Sequence, residues 1–225
     1  MLVLAVDTST PVVTSGLVRL DVAGGAEGRS GLDTVAARVT DNPRAHAEVL
    51  TPQILECLAE AGCGPADLDA VVVGVGPGPF TGLRVGMATA AAFGDALGVP
   101  VHGVCSLDAI AADVRAAAPA DANLLVVTDA RRREVYFARY VGDIRVEGPD
   151  VRRPADVPAA PSARVAGSPV HAALFELPSV AVHTPTPAGL VEVAADALRS
   201  GVAPDPLVPL YLRRPDAVET ADRRR

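Results

Sequence analysis

The chain has 225 residues, 49% of them hydrophobic, enough to bury one large core or two small ones, and this sets aside the disordered and fibrous classes. Acidic residues outnumber basic ones 27 to 20 for a formal charge of −7, so most of the surface repels a phosphate backbone and a free-standing nucleic-acid binder is not expected. All 20 basic residues are arginine, which removes Schiff-base lysines and the lysine-dependent phosphate loop together. Cys57, Cys63 and Cys105 lack the C-x-x-C spacing of a zinc site or a redox pair and fit a reducing compartment.

Residues 2–6 form an apolar run of strand length that Asp7 interrupts before a signal peptide or a membrane span is complete, so a cytoplasmic protein is expected. The turn formers Asp7-Thr8-Ser9-Thr10-Pro11 follow, then a paired strand over 16–20, a Gly-rich hairpin tip over 22–33 and a third strand over 34–39. From His46 the period changes. Leu50, Ile54 and Leu58 fall four apart on one face, Pro52 sits inside, and Gly62 and Gly64 close an amphipathic helix.

Residues 71–75 have no polar face, the mark of a strand covered on both sides. A loop with two glycines and two prolines, Gly76 to Gly82, leads into a helix over 83–97, a strand over 99–104 and a helix over 107–118. Residues 124–129 then repeat the opening, an apolar run ending in an aspartate, followed by a strand over 134–141. A proline-rich irregular stretch is expected over 149–161, a short strand over 164–167, a helix over 189–198 and a frayed tail at Arg223–Arg225.

The repeated strand-Asp-turn unit implies a duplicated α/β fold of two βββαβα halves, the first over 1–108 and the second over 109–225. This is the pattern of the actin, sugar-kinase and heat-shock ATPase superfamily, in which phosphates bind between the halves. Asp7 and Asp129 then either face that cleft and position a metal-bound phosphate, or cap their own turns through Asx hydrogen bonds. The loop from Gly76 to Gly82, before the second helix, binds an anion at a helix N-terminus, or only turns tightly, with Thr81 as the cap. Gly86, Ala88, Ala90, Ala91, Ala92 and Gly94 give that helix a low surface, which packs on its own sheet or forms a patch for a partner. A second histidine four residues after His46 would have made a metal-ligand pair on one helical face, but Leu50 stands there.

Five segments resemble one family, TsaB, also called YeaZ. They are Leu4-Ala5-Val6-Asp7-Thr8-Ser9, His46-Ala47-Glu48-Val49-Leu50-Thr51-Pro52, Gly76 to Gly86, Thr128-Asp129-Ala130-Arg131 with Glu134-Val135-Tyr136, and Pro209-Leu210-Tyr211-Leu212-Arg213. The usual family form has Ser where this chain has Pro79. The resemblance implies an actin-like (ASKHA, ribonuclease H-like) fold and a non-catalytic subunit, with no resident cofactor, although ATP enters the assembled complex. It implies a heterodimer with a TsaD-type catalytic subunit through the first two helices, a TsaE-type ATPase joining them, tRNA met only through the complex, no membrane, and a homodimer through the same surface when alone.

The complex would make threonylcarbamoyladenosine in the anticodon loop of tRNAs reading codons that begin with A. The expected interface residues are His46, Leu50, Ile54, Phe80, Thr81, Gly82, Arg84, Val85, Gly86 and Ala90. The alternatives are an ATP-binding phosphotransferase of the same superfold, using Asp7 and Asp129, and a glycoprotease-like (M22) metallopeptidase.

Overall fold

The computed structural model describes residues 1–23, 31–42, 46–117 and 123–213. The expected tail at Arg223–Arg225 and most of the expected hairpin tip lie outside the described residues. Strands β1 (Leu2–Asp7), β2 (Val12–Leu20) and β3 (Leu32–Asp41) open the chain as an antiparallel meander. Helix α1 (His46–Glu60) leads to β4 (Ala70–Gly74), α2 (Phe80–Leu97), β5 (Val101–Val104) and α3 (Ser106–Ala117). The first sheet has the order β3-β2-β1-β4-β5, with β4 parallel to both β1 and β5.

The second half repeats the meander as β6 (Leu124–Asp129), β7 (Val135–Val141) and β8 (Ile144–Arg152), followed by β9 (Arg164–Gly167), the single-turn α4 (Pro169–Ala172) and α5 (Pro187–Ser200). Its sheet has the order β8-β7-β6-β9, with β9 parallel to β6 as β4 is to β1. The expected α/β duplication is therefore present. In the second half a short turn replaces the crossover helix that α1 supplies in the first.

Alternation along the strands distributes the core. Leu4, Val6, Val71 and Val73 pack with Leu50, Ile54, Met87 and Ala90 of α1 and α2. Their neighbours Val3, Ala5, Ala70 and Val72 point to the other face, onto Leu190, Val191, Ala194 and Leu198 of α5. This double cover is why β4 has no polar position. Helix α3 puts Leu107, Ile110 and Val114 on the second sheet, against Val126, Tyr136 and Ala166. Helices α3 and α5 thus lie together between the two sheets, and α5 belongs to the second half in sequence but to the first sheet in packing.

Three expectations are corrected. Helix α2 begins at Phe80 rather than 83, because Pro79, with φ −61°, supplies the preset backbone just before the first turn. Its cap makes no side-chain hydrogen bond, so Thr81 lies inside the helix and is not the cap. Residues 149–152 are strand rather than irregular, since β8 is an edge strand and an edge tolerates Pro149. The helix expected over 189–198 starts at Pro187 because the Thr186 hydroxyl accepts from the Gly189 N–H at 3.1 Å.

The glycines of α2 are explained by a close approach. Cβ atoms added at Gly82 and Gly86, four apart on one face of α2, would collide with Thr8, and one added at Gly78 in the loop before the helix with Ser9; at Gly82 the clash is with the Thr8 carbonyl oxygen at 2.6 Å. A Gly82→Ala variant must push α2 off a backbone atom. We expect it to lose about 1–3 kcal/mol of stability in chemical denaturation, while Thr81→Ala next to it, on an exposed side chain, changes stability by less than about 0.5 kcal/mol.

Candidate functional site

Asp7 ends β1 at a point where β4, α3 and the first turn meet. Its Oδ1 accepts from the Ser9 N–H at 2.9 Å and from the Ser9 hydroxyl at 2.7 Å, and its Oδ2 accepts from the Ser106 hydroxyl at 2.5 Å. The residue is 0% exposed, and a side chain at Gly74 would occupy the space of its carboxylate. Burial pushes the Asp7 carboxyl above its ordinary value, opposed by the hydrogen bonds from Ser106 and Ser9. Both oxygens are therefore spent on the protein's own donors, and the carboxylate reaches no open space in which a metal-bound phosphate could sit. Of the two sequence readings of this residue, the geometry matches the turn cap.

Asp129 ends β6 in the equivalent place and likewise caps its turn, accepting from the Arg131 N–H at 2.7 Å. Its other contacts are with the Arg131 guanidinium at 3.5 Å and with the His171 ring at 3.5 Å. Asp7 and Asp129 share no partner among these bonds. Ser106 was not singled out from the sequence. A serine before a helix reads as a local cap, and nothing in the pattern announces an acceptor 99 residues away. Burial pushes the Cys105 thiol up to about 12 and also raises Cys57, which disfavours the reactive thiolate at both.

Thr8 locks α2 to this turn. Its hydroxyl donates to the Gly82 carbonyl at 2.7 Å and accepts from the Gly86 N–H at 3.1 Å. The same hydroxyl thus engages a carbonyl and an amide one helical turn apart. Beside it, the His46 Nε2–H donates to the Thr10 carbonyl at 3.0 Å, tying the start of α1 to the same turn. Thr8, Thr10, Pro11, His46, Ala47, Pro79, Thr81, Gly82 and Val85, with Arg131 from the second half, line a cavity of about 180 Å³. Among the described residues no group of three or more His, Cys, Asp and Glu is placed to hold a metal ion.

The expected interface residues separate into two sets. Leu50, Ile54, Gly82, Gly86 and Ala90 are buried in the chain's own core. The reason is that a periodic stripe which marks an amphipathic helix is the face that packs on its own sheet. His46 and Val85 are half-buried, and Phe80, Thr81 and Arg84 are exposed. The outward faces carry Ala47, Thr51 and Leu55 on α1, and Ala88 and Ala92 on α2.

A strap from the C-terminal end closes this region. Tyr211 stacks on Phe80 with centroids 5.1 Å apart, the Arg84 guanidinium lies 3.7 Å over the Phe80 ring, and its Nε–H donates to the Tyr211 hydroxyl at 2.9 Å. Two residues on, Arg213 donates to the Ala130 carbonyl at 2.7 Å and pairs with Glu134 at 3.5 Å. The Leu210 N–H donates to the Val75 carbonyl at 2.9 Å. The first turn, the start of α1, the loop into α2, the β6–β7 turn and the strap thereby come together at one end of the molecule.

That β6–β7 turn is strained. Arg131, Arg132 and Arg133 have φ of 63°, 50° and 63°, a left-handed run without a glycine that costs roughly 1–2 kcal/mol per residue. It is closed by the Glu134 N–H donating to the Arg131 carbonyl at 2.9 Å and the Ala130 N–H donating to the Glu134 carbonyl at 3.1 Å.

Comparison with known proteins agrees with this architecture. Residues 35–203 match the family model described as TsaD: tRNA N6-adenosine threonylcarbamoyltransferase. An uncharacterised protein of Mycobacterium tuberculosis is 57% identical over 215 residues, covering 96% of this chain and 93% of its own. The tRNA threonylcarbamoyladenosine biosynthesis protein TsaB of Bacillus subtilis is 31% identical over 140 residues, 62% of this chain and 55% of that protein. The structure of YeaZ from Pseudomonas aeruginosa superposes with a TM-score of 0.73 at 28% identity, covering 94% of this chain and 99% of YeaZ. The chain belongs to the TsaB/YeaZ family, within the wider family that the matching model describes, and has its actin-like α/β fold.

The Asp7 geometry yields a pH-dependent expectation. Asp7→Asn keeps an acceptor for Ser9 and a partner for Ser106 without a buried charge, whereas Asp7→Ala strands both hydroxyls. The alanine variant is expected to lose about 1–3 kcal/mol and the asparagine variant less than about 1. Because the folded carboxyl titrates above its unfolded value, the proton bound by Asp7 favours the fold fully below the ordinary carboxylate range. That contribution is lost as pH rises through the folded pKa. Parent and Asp7→Asn stabilities, measured by denaturation from pH 3 upward, should therefore diverge in favour of Asn as pH rises; convergence would contradict the assignment.

Proposed function

We propose that the chain is a non-catalytic subunit in the formation of threonylcarbamoyladenosine in the anticodon loop of tRNAs reading codons that begin with A. It binds a TsaD-type catalytic subunit through the outward faces of α1 and α2. Relatives named for that biosynthesis and the match to YeaZ over nearly the whole chain support the role. The observation that carries the mode of action is the outer surface of these two helices. Ala47, Thr51, Ala88 and Ala92 are small and exposed, Leu55 is 52% exposed and Phe80 49%, so a facing helix can approach closely and cover apolar surface.

In this reading a TsaE-type ATPase joins the pair, any ATP belongs to the assembled complex, and a homodimer uses the same face when the partner is absent. No helix among the described residues is long and apolar enough to cross a membrane. The phosphotransferase alternative needs free carboxylate oxygens at Asp7, and both are already hydrogen-bonded. The metallopeptidase alternative needs a ligand four residues after His46, where Leu50 is buried in the core.

Position on α2 supplies the test. Ala92→Glu, on the exposed face, should leave the melting temperature within about 2 °C of the parent and abolish co-elution with the catalytic subunit from the same host. Ala90→Glu, two residues away in the core, should fail to fold stably because it buries a charge. Retained co-elution of a folded Ala92→Glu chain would refute the docking face.

A further inference from the structure

The tip of the β6–β7 turn is unused by the scaffold role. It presents Arg131, Arg132 and Arg133, all exposed, on a chain whose formal charge is −7. Two more arginines lie in the same strip, Arg84 at the start of α2 and Arg213 on the strap that bonds to Ala130. The Asp129 carboxylate pairs with Arg131 and that of Glu134 with Arg213. Five arginines thus gather at one end of a protein whose formal charge is −7.

From this arrangement we infer that the Arg131-Arg132-Arg133 turn is a phosphate clamp for an RNA backbone, the tRNA brought to the complex in the function proposed above, on which this inference rests. Three features argue for it. Arginine offers a planar fork of donors matched to phosphate oxygens. The turn is closed at its base by the Glu134–Arg131 and Ala130–Glu134 backbone bonds, so the tip is preorganised and little ordering accompanies binding.

Its place completes the case. Arg131 lines the same cavity as His46, Thr81 and Val85 at the end of the helices that carry the proposed partner face. Left-handed backbone is most easily occupied by glycine, yet all three positions carry arginine, whose fork of donors suits a phosphate. Contact with tRNA would then be direct at this turn, rather than only through the catalytic subunit.

The test uses the full chain co-purified with its catalytic partner, and an unmodified tRNA transcript titrated at several salt concentrations. The variant Arg132→Gly/Arg133→Gly removes two charges and suits the left-handed backbone, so a folding defect is not expected from it. Arg132→Lys/Arg133→Lys keeps both charges. With partner co-elution intact, the glycine pair should weaken tRNA binding roughly tenfold and reduce the slope of log affinity against log salt by about two, and the lysine pair should restore most of both.

Unchanged affinity and slope in the glycine pair would overturn the inference. So would loss of partner co-elution in that variant, which would assign the arginines to an acidic surface of the partner instead. Failure of the parent chain itself to co-elute with the partner would count against the scaffold reading and remove the basis of this inference with it.

Discussion

One hydroxyl sets the geometry of the first half. Thr8 Oγ1 sits between the Gly82 carbonyl and the Gly86 N–H of α2, 74 and 78 residues away, close enough that a side chain at either glycine would strike it or its own carbonyl. This fixes the end of β1 and the first two turns of α2 as one rigid piece. The position of Phe80, and so of the Tyr211 strap stacked on it, follows from that contact. Arg213 then carries the constraint across to Ala130 in the second half.

The two halves are also interlocked by exchange of helices. Helix α3 follows the first sheet in sequence and packs on the second, while α5 follows the second and packs on the first. Asp113 of α3 reinforces the crossing by accepting from the Thr186 N–H and hydroxyl at 2.9 and 2.6 Å, just before α5 begins. With both inner faces filled in this way, the outer layer of α1 and α2 is what the first half offers to other molecules. The Asp7 carboxylate at the end of the first strand is sealed under Ser9 and Ser106.

Much of this was legible in the chain itself. The apolar runs, the change of period at His46 and the repeated strand-Asp-turn unit define the duplicated fold, because they depend on local alternation and burial. The five family segments proved to be the pieces that meet at one end. What sequence pattern leaves open is direction. Leu50, Ile54, Gly86 and Ala90 form a periodic face, and periodicity alone does not say whether that face meets a partner or the chain's own sheet. Ser106 and the Thr8 bridge were not legible because each joins residues far apart in sequence through a single atom. The edge strand β8 was obscured by Gly148 and Pro149, which read as a breaker and are tolerated where one side of the ladder is open.

The central claim is that α1 and α2 face a catalytic partner with the side not buried on the sheet. Amide hydrogen exchange of the chain alone and in the presence of the TsaD-type subunit from the same host tests this directly. Slowed exchange concentrated in peptides spanning 46–60 and 80–97 is the predicted result. Protection confined to the β8 edge or to the α5 side, or no change at all, would contradict it.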